Sequence, residues 1–542
     1  MTKRRAAVNP DVKTTQVERS ELPPGWCWVS LGELAAPEPN AITDGPFGSN
    51  LKTEHYTDCG PRVVRLQNIG DGIFRDISAY ISERYFEKLR KHQVDAGDLV
   101  IAALGESLPR ACLIPAWLGP AIVKADCIRF KPDERLVASA YLNYALNNED
   151  ARRRTSAIIH GVGRPRLNLT EIRSILVPLA PPPEQGRLVE KIEELLSDLD
   201  AGVASLRQAQ ATLKKYRAAV LRAAVTGELT TEWRAVHPNV EPATKLLDRI
   251  LAERRRKWEE EQEAKFAASG RTPPKGWQSK YPMLPPLDSS NLAELPPNWC
   301  WASVNQVGEV RLGRQRSPAH HDGLYMRPYL RVANVFENRI DTNDVLQMNF
   351  TPAEYEVYRL EFGDILLNEG QSLHLVGRPA MYRDEVPGAC FQNTLVRFRA
   401  DPGVLPEYSL YLFLAYLHNR RFQKVARWTV NIAHLGADRF SSIEFPLPPV
   451  DEQRAIVAKV EQQLSDIEAT DNYITASLKR AARLRQSILK EAFAGRLVPQ
   501  DPNDEPASVL LERIRQTGPK AESLNGRSKA RTRNPRQREF FE

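Results

Sequence analysis

No two of the six cysteines (Cys27, Cys59, Cys112, Cys127, Cys300 and Cys390) stand as a CxxC pair. That spacing removes the usual zinc ribbons and dithiol chemistry and leaves the reduced thiols of a cytosolic protein. No run of about 18 apolar residues exists to cross a bilayer, and the start Met1-Thr-Lys-Arg-Arg5 is not followed by an apolar stretch. The chain is therefore expected to be soluble and unexported, with no membrane partner. Also missing are the GxxxxGK[ST] phosphate loop, GxGxxG, HExxH and the Asn/Asp-Pro-Pro-Tyr motif of amino-methyltransferases. ATP hydrolysis, zinc hydrolysis and methyl transfer thus have no support in this chain. His320-His-Asp322 is the one clustered metal-like trio, but adjacent side chains point apart and no further ligand follows at a useful spacing. No metal site is expected. Charge of one sign is scarce too: 75 basic against 68 acidic residues leave +7, a modest excess that fits a nucleic-acid partner without demanding one.

What is present is a duplication. Glu21-Leu-Pro-Pro-Gly-Trp-Cys-Trp-Val-Ser30 returns as Glu294-Leu-Pro-Pro-Asn-Trp-Cys-Trp-Ala-Ser303. The matches continue in order: Arg65-Leu-Gln-Asn68 with Arg331-Val-Ala-Asn334, Gly97-Asp98 with Gly363-Asp364, Ile128-Arg-Phe130 with Val396-Arg-Phe398, and Pro183-Glu-Gln185 with Asp451-Glu-Gln453. Finally residues 241–250 return as 505–514. A period this long marks two domains, not a solenoid, and 542 residues suffice for two cores.

Within each half the texture changes once. Short apolar runs broken by Gly, Pro and Asp read as an irregular α+β globule. After Pro181-Pro-Pro183 the breakers nearly vanish, and apolar residues recur at Ile192, Leu195, Leu199, Leu206 and Leu213 with the spacing of a coiled-coil seam. The second copy offers Ile456, Val460, Leu464, Ile467, Ile474, Leu478, Leu484 and Ile488. Each rod should end at its glycine, Gly227 or Gly495. Forty residues of helix span roughly 60 Å, and one rod cannot bury its own seam. Two matched rods can bury theirs against each other. Antiparallel packing would separate two similar globules about a pseudo-twofold axis, whereas parallel packing would bring both to one end. Pairing with a second copy of the chain is the alternative to an internal pair, which the match within one chain favours.

The organisation expected is a basic segment over 1–20, a first globule over 21–182, a helical region over 183–250, a charged helix and Pro-rich linker over 251–293, a second globule over 294–448, a second helical region over 449–515 and a basic tail over 516–542. The charged helix reads as a solvated extension and the tail as disordered.

These residues carry a resemblance. The duplicated Leu-Pro-Pro-x-Trp-x-Trp opening, the Gly45-Pro-Phe-Gly-Ser49 loop, the Gly-Asp-hydrophobic strands and the Glu-Gln helix starts resemble the DNA-specificity subunit of type I restriction-modification systems over nearly all of residues 20–515. The resemblance implies two target recognition domains, each reading half of a split double-stranded DNA sequence, and two helices forming an antiparallel coiled coil that sets the gap. It implies partners as well: modification (methyltransferase) subunits and restriction subunits, two of each, supplying S-adenosylmethionine, ATP and Mg chemistry that this chain lacks, in a bacterial or archaeal cytoplasm. In the second half Arg311-Leu-Gly-Arg-Gln-Arg-Ser-Pro318 replaces Gly-Pro-Phe-Gly-Ser, so the two half-sites should differ.

Base edges are read by Arg or Lys on guanine and Asn or Gln on adenine. By type and loop position the DNA-contacting candidates are Ser49, Lys52, Arg65, Gln67, Asn68, Arg110 and Arg164 in the first half. In the second they are Arg311, Arg314, Gln315, Arg316, Arg331, Asn334, Arg378 and Arg427. Residues kept in both copies, such as Arg65 and Arg331, read equally well as frame, because reading residues should differ between half-sites; the unshared Arg314 and Arg316 are the stronger readers. Asp98 with Glu106, and Asp364 with Glu369, could be nuclease carboxylates, but Gly-Asp before an apolar run reads more simply as a turn into a buried strand. The rival functions are a coiled-coil scaffold joining two protein-binding domains and a stand-alone DNA-modifying enzyme. A salt-dependent, sequence-specific shift of a duplex separates recognition from scaffolding, and turnover by the isolated chain would indicate the enzyme.

Overall fold

Proline opens a helix well because its fixed φ suits the first helical position and its missing N–H is not needed there. The first long helix begins at this junction and spans Pro182–Thr226, and its counterpart spans Val450–Phe493. Gly227 and Gly495 follow in the left-handed conformation, φ 75° and 69°, as helix-terminating glycines do. The computed structural model describes residues 21–161, 163–429 and 432–517; the basic segments expected over 1–20 and from 518 onward lie outside them. The chain divides into two compact units, Met1–Ser205 with Ser477–Glu542, and Leu206–Ala476. The division falls inside both long helices and not at the 251–293 linker.

Each unit mixes helix and sheet in the same plan. In the first, strands Ile42–Thr43, Cys127–Phe130, Leu99–Ala102 and Arg110–Leu113 form one sheet in that order. In the second, Gly308–Leu312, Leu395–Ala400, Ile365–Asn368 and Pro379–Met381 do so. A second sheet in each unit contains a parallel pair, Arg62–Val64 with Ala121–Val123 and Tyr329–Leu330 with Cys390–Phe391. An antiparallel ribbon closes each globule: Cys27–Ser30 against Leu176–Leu179, and Cys300–Ser303 against Glu444–Leu447.

The repeated motifs are the joints of this plan. The Trp26 indole donates to Glu184 at 3.0 Å and the Trp299 indole to Glu452 at 2.8 Å, so each helix start is pinned to its ribbon. The neighbouring glutamine clamps a loop: Gln185 accepts from Ala138 N and donates to Leu136 O, and Gln453 accepts from Leu405 N and donates to Gly403 O. Gly97 and Gly363 turn with φ 86° and 90°, which permits the tight approach to the central strand. The following Asp98 and Asp364 are buried and ion-paired, Asp98 with Arg129 at 2.7 Å and Asp364 with Arg399 at 2.7 Å. They are frame, not a cutting site.

The segment trailing each long helix docks on the ribbon start within its unit. Ala507 N donates to Gly25 O at 2.8 Å in the first unit, and Ala243 N to Asn298 O at 2.8 Å in the second. Gly495 lies so close to Pro23 that a Cβ there would sit 2.2 Å from its Cγ. Gly495→Ala is therefore expected to cost at least about 1 kcal/mol for the left-handed backbone alone and more for the overlap, read as a lower urea midpoint of the first unit in the full chain.

Burial along the helices is uneven. Leu188, Ile192 and Leu196 share a core with Leu489 and Ala492 in the first unit. Val220, Leu221 and Ala224 share one with Ile456, Val460 and Ile467 in the second. Leu195, Leu199, Leu206, Leu213, Leu464 and Leu478 are half-buried and Ile474 is buried, whereas Leu484, expected in the seam, is 50% exposed; the helix turns Ile488 and Leu489 inward in its place. Between Leu196 and Val220 the first helix buries no residue fully. Polar contacts have an opposed sense within each unit: Arg187 meets Asp504 and Asp200 meets Arg485 in the first, and Gln210 meets Asp471 while Leu229 O meets Lys459 in the second.

The charged helix, Ala243–Ala268, is mostly exposed over residues 251–265, but two of its side chains are held. Arg254 pairs with Asp401 at 2.7 Å, and Trp258 stacks on Trp277 of the Pro-rich segment with centroids 5.7 Å apart. The aromatic residues Trp277 and Tyr281 give that segment something to fold back onto. All six cysteines are free, and burial pushes the Cys112 and Cys390 thiols up to about 12, so those two are inert near neutrality.

Candidate nucleic-acid interface

In the first unit Gln67, Arg110 at the start of its strand and Arg164 come to one open cavity of about 440 Å³, together with Glu106 and Arg75. Gln67 stands in the middle of a short turn, Leu66–Asn68, whose geometry Asn68 holds from inside. Asn68 is 1% exposed; its oxygen accepts from Arg65 N and its amide donates to Arg75 O and Ile77 O. Arg65 donates to Ser78 O at 3.1 Å, so both shared residues serve the frame in this conformation. Arg110 leans on Leu66 O at 3.4 Å and leaves its buried Nε unpartnered among the described residues. Arg164 is exposed. Ser49 lies in the Gly48–Asn50 turn, and Lys52 beside it is exposed, 3.6 Å from Glu54.

The second unit repeats the frame and changes the surface. Asn334 caps Arg331 N and donates to Asp341 O and Asp344 O, and Arg331 pairs with Asp344. Arg314 is placed inside: its guanidinium bonds Glu354 at 2.9 Å and Asn349 O, and lies 5.0 Å from the centre of the Phe350 ring. Its bonding capacity is taken by the protein, which is a framework role and not that of a free reader. Arg311 is held by Glu309 at 2.7 Å. Gln315 and Arg316 are exposed, Arg316 within 3.1 Å of His321. Arg378 lies 4.8 Å from the centre of the Phe336 ring, with burial lowering its pKa and its Nε unpartnered among the described residues. Arg427 is exposed beside Trp428, itself 55% exposed, on a short strand that pairs with Ala433–His434.

The loop that seemed lost in the second half is partly retained. Gly45 packs so tightly that a Cβ would lie 2.2 Å from the Lys124 carbonyl carbon, and Gly313 stands 2.2 Å, on the same measure, from the Gln392 carbonyl oxygen. The glycine and its docking site persist while Pro-Phe-Gly-Ser does not. Close backbone approach was the signal, and it is invisible without the fold. Among the described residues no three His, Cys, Asp or Glu side chains gather as metal ligands, and no helix is long and apolar enough to cross a membrane.

A family model described as the type I restriction modification DNA specificity domain matches residues 301–479. The chain is 25% identical over 516 residues to the type I restriction enzyme EcoKI specificity subunit of Escherichia coli strain K12, covering 91% of this chain and 96% of that one. It is 24% identical over 517 residues to the EcoBI specificity subunit of Escherichia coli, covering 90% and 92%. A chain from a solved structure concerned with complex assembly and conformational transition of the type I R-M system shares the fold at a TM-score of 0.58 and 19% identity, over 88% of this chain and all of the other. The duplicated frame with its differing loops thus stands beside relatives that are specificity subunits of type I restriction enzymes, to which this chain is similar over about nine-tenths of its length.

Proposed function

We propose that the chain is the non-catalytic subunit that reads an asymmetric bipartite sequence in double-stranded DNA and directs separate methyltransferase and restriction subunits to it. The observation that carries this is one frame built twice with different exposed side chains: Gln67, Arg110 and Arg164 around a cavity in one unit, Gln315, Arg316 and Arg427 on the surface of the other. Shared residues hold the domain, and unshared ones are free to specify bases. The two domains act in tandem, the long helices pairing as an antiparallel coiled coil with pseudo-twofold symmetry that fixes the unread gap. The opposed sense of the contacts Asp200–Arg485 and Gln210–Asp471, each within its own unit, supports that pairing. Two methyltransferase subunits bring S-adenosylmethionine, and two restriction subunits bring ATP and Mg chemistry, in the cytoplasm of a bacterium or archaeon.

The test is an exchange of residues 31–175, the stretch inside the first ribbon, for the equivalent part of a relative, followed by mapping of methylated adenines in cells carrying the partner subunits. One half of the methylated motif should change and the other should stay. Change in both halves, or in neither, would overturn bipartite reading.

A further inference from the structure

Strand register matches two arginines that sequence order does not. Phe130 and Phe398 are the same residue of the repeat, and they pair with Leu99 and Ile365 on the buried central strands. Three residues further along those strands, Ala102 pairs with Arg110, and Asn368 N donates to Arg378 O at 3.2 Å. Arg110 and Arg378 therefore stand at the head of the same edge strand in the two units. The loops leading to them, 103–109 and 369–377, differ in length, which hides the match in the sequence. Of the three side chains around the first cavity, Arg110 thus has a counterpart in the second unit. Both arginines are half-buried, and in both the Nε is buried without a partner among the described residues. Arg110 gives one N–H to Leu66 O at 3.4 Å, whereas the Arg378 guanidinium lies against the Phe336 ring and gives none to a described residue. No terminal nitrogen of either is buried without a partner, so those nitrogens reach solvent.

We propose that Arg110 and Arg378 each hold a phosphate of the DNA backbone at equivalent points of the two half-sites, so that they position the duplex and read no base. The inference rests on the DNA-reading function proposed above. Other arginines kept at equivalent places in the two globules are taken up by the protein: Arg65 by Ser78 O, Arg331 by Asp344, Arg129 by Asp98 and Arg397 by Glu309 at 2.9 Å. A half-buried guanidinium kept in both units and left without a carboxylate calls for an acceptor from outside the chain. Nor does either stand alone. Arg75 lines the cavity of Arg110, and Arg339 lies against the same Phe336 ring as Arg378, each 4.8 Å from its centre. Arg75 and Arg339 come from the hairpin that follows the shared turn, closed by Ile69 with Phe74 in one unit and by Val335 with Ile340 in the other. Both are exposed, and among the described residues no carboxylate forms an ion pair with any of the four; Glu106 lines the first cavity but pairs with none of them. Like charges gathered without a counterion repel one another, and an anion between them relieves the repulsion. A phosphate oxygen pair matches the guanidinium fork. Bases differ between two half-sites whereas phosphates recur, so a residue kept in both domains suits the part of the duplex that is the same in both.

The test measures binding of the full chain with its methyltransferase subunits to a duplex carrying the methylated motif and to a scrambled duplex, over a range of KCl concentrations. Wild type is compared with Arg110→Ala, Arg378→Ala, Arg110→Lys and Arg378→Lys, and methylated adenines are mapped in cells for each. Either alanine variant should lower the slope of log affinity against log salt by about 1, weaken binding to both duplexes by the same factor and leave the motif unchanged. Lysine keeps the charge and should restore the slope, which a merely structural role would not require. The two positions lie in separate units, so one still reports if a variant of the other folds poorly. An unchanged slope in the folded alanine variants, or a motif relaxed at one base, the mark of a guanine reader, would overturn the proposal. If wild type itself binds both duplexes alike, the underlying DNA-reading function fails instead, a result that no variant is needed to see.

Discussion

Arg129→Ala is expected to destabilise the first unit by about 3–5 kcal/mol, the range for removing one partner of a buried ion pair. Asp98 is 3% exposed and the Arg129 side chain 10%, and the guanidinium bonds Asp98 at 2.7 Å and Asp95 at 3.0 Å. Without Arg129 the carboxylate stays beneath the strand with only the Asp95 N–H for company. The loss depends on pH in a defined direction. Burial already holds the Asp98 carboxyl above its ordinary value, against the pull of Arg129. Removing the arginine raises it further. A group whose folded pKa lies above its unfolded one contributes stability below the unfolded value and loses it as pH rises through the folded value. The deficit should therefore be largest near neutrality and shrink toward pH ~4, where the buried acid can fold protonated. Urea denaturation at several pH values checks both the size and the sign. A deficit under about 1 kcal/mol at neutral pH, or one that grows on acidification, would show that Asp98 is not held as described. Replacing the pair together, Asp98→Asn with Arg129→Met, should recover much of the loss.

Position along the long helices should matter more than hydrophobicity. Val460 is fully buried in the core that includes Val220 and Leu221, so Val460→Asp places an unpaired charge in the second unit at a cost of several kcal/mol. That is a large fraction of a domain's whole stability. Leu213 is only half-buried, in the stretch of the first helix that buries no residue fully, and an aspartate there can reach water. Leu213→Asp should cost less than half as much. Thermal and urea melts compare the two, and co-purification with methyltransferase subunits reports whether assembly follows stability. Equal losses would mean that the seam is buried evenly, contrary to the exposure of its middle.

Much of the frame was legible because duplication marks it. Trp26 and Trp299, the Glu-Gln pairs, and Gly-Asp before a strand stood out as repeats, and each proves to be a joint between distant parts of one unit. Their purposes were not legible, since a repeat records that a residue is kept without saying what it touches. Arg314 looked like a free reader in a basic loop, yet Glu354, Asn349 and Phe350 enclose it from elsewhere in the chain. Leu484 stands one residue before the place that the seven-residue spacing of Leu464 and Leu478 would fill next, and it faces water, while Ile488, two heptads after Ile474, packs inward. Glu106 reads in the sequence only as a possible nuclease carboxylate, and the fold places it exposed at the cavity lined by Gln67, Arg110 and Arg164.

The amino-acid sequence by itself determined that there are two similar α+β halves, where the two long helices start and stop, and that the common phosphate-loop, zinc-protease and amino-methyltransferase motifs are missing. Those properties are written in local periodicity, in proline and glycine at helix ends, and in residue order, all of which act over a few neighbours. Only the tertiary structure decided that the segment after each long helix docks on a ribbon start, Ala507 on Gly25 and Ala243 on Asn298, that the charged helix is folded onto Trp277, and which arginines are bound and which are free. Such outcomes depend on burial and on partners tens to hundreds of residues away. A guanidinium at the surface and one enclosed by a carboxylate and an aromatic ring have the same letter in the sequence, and what surrounds them leaves one free and makes the other a strut.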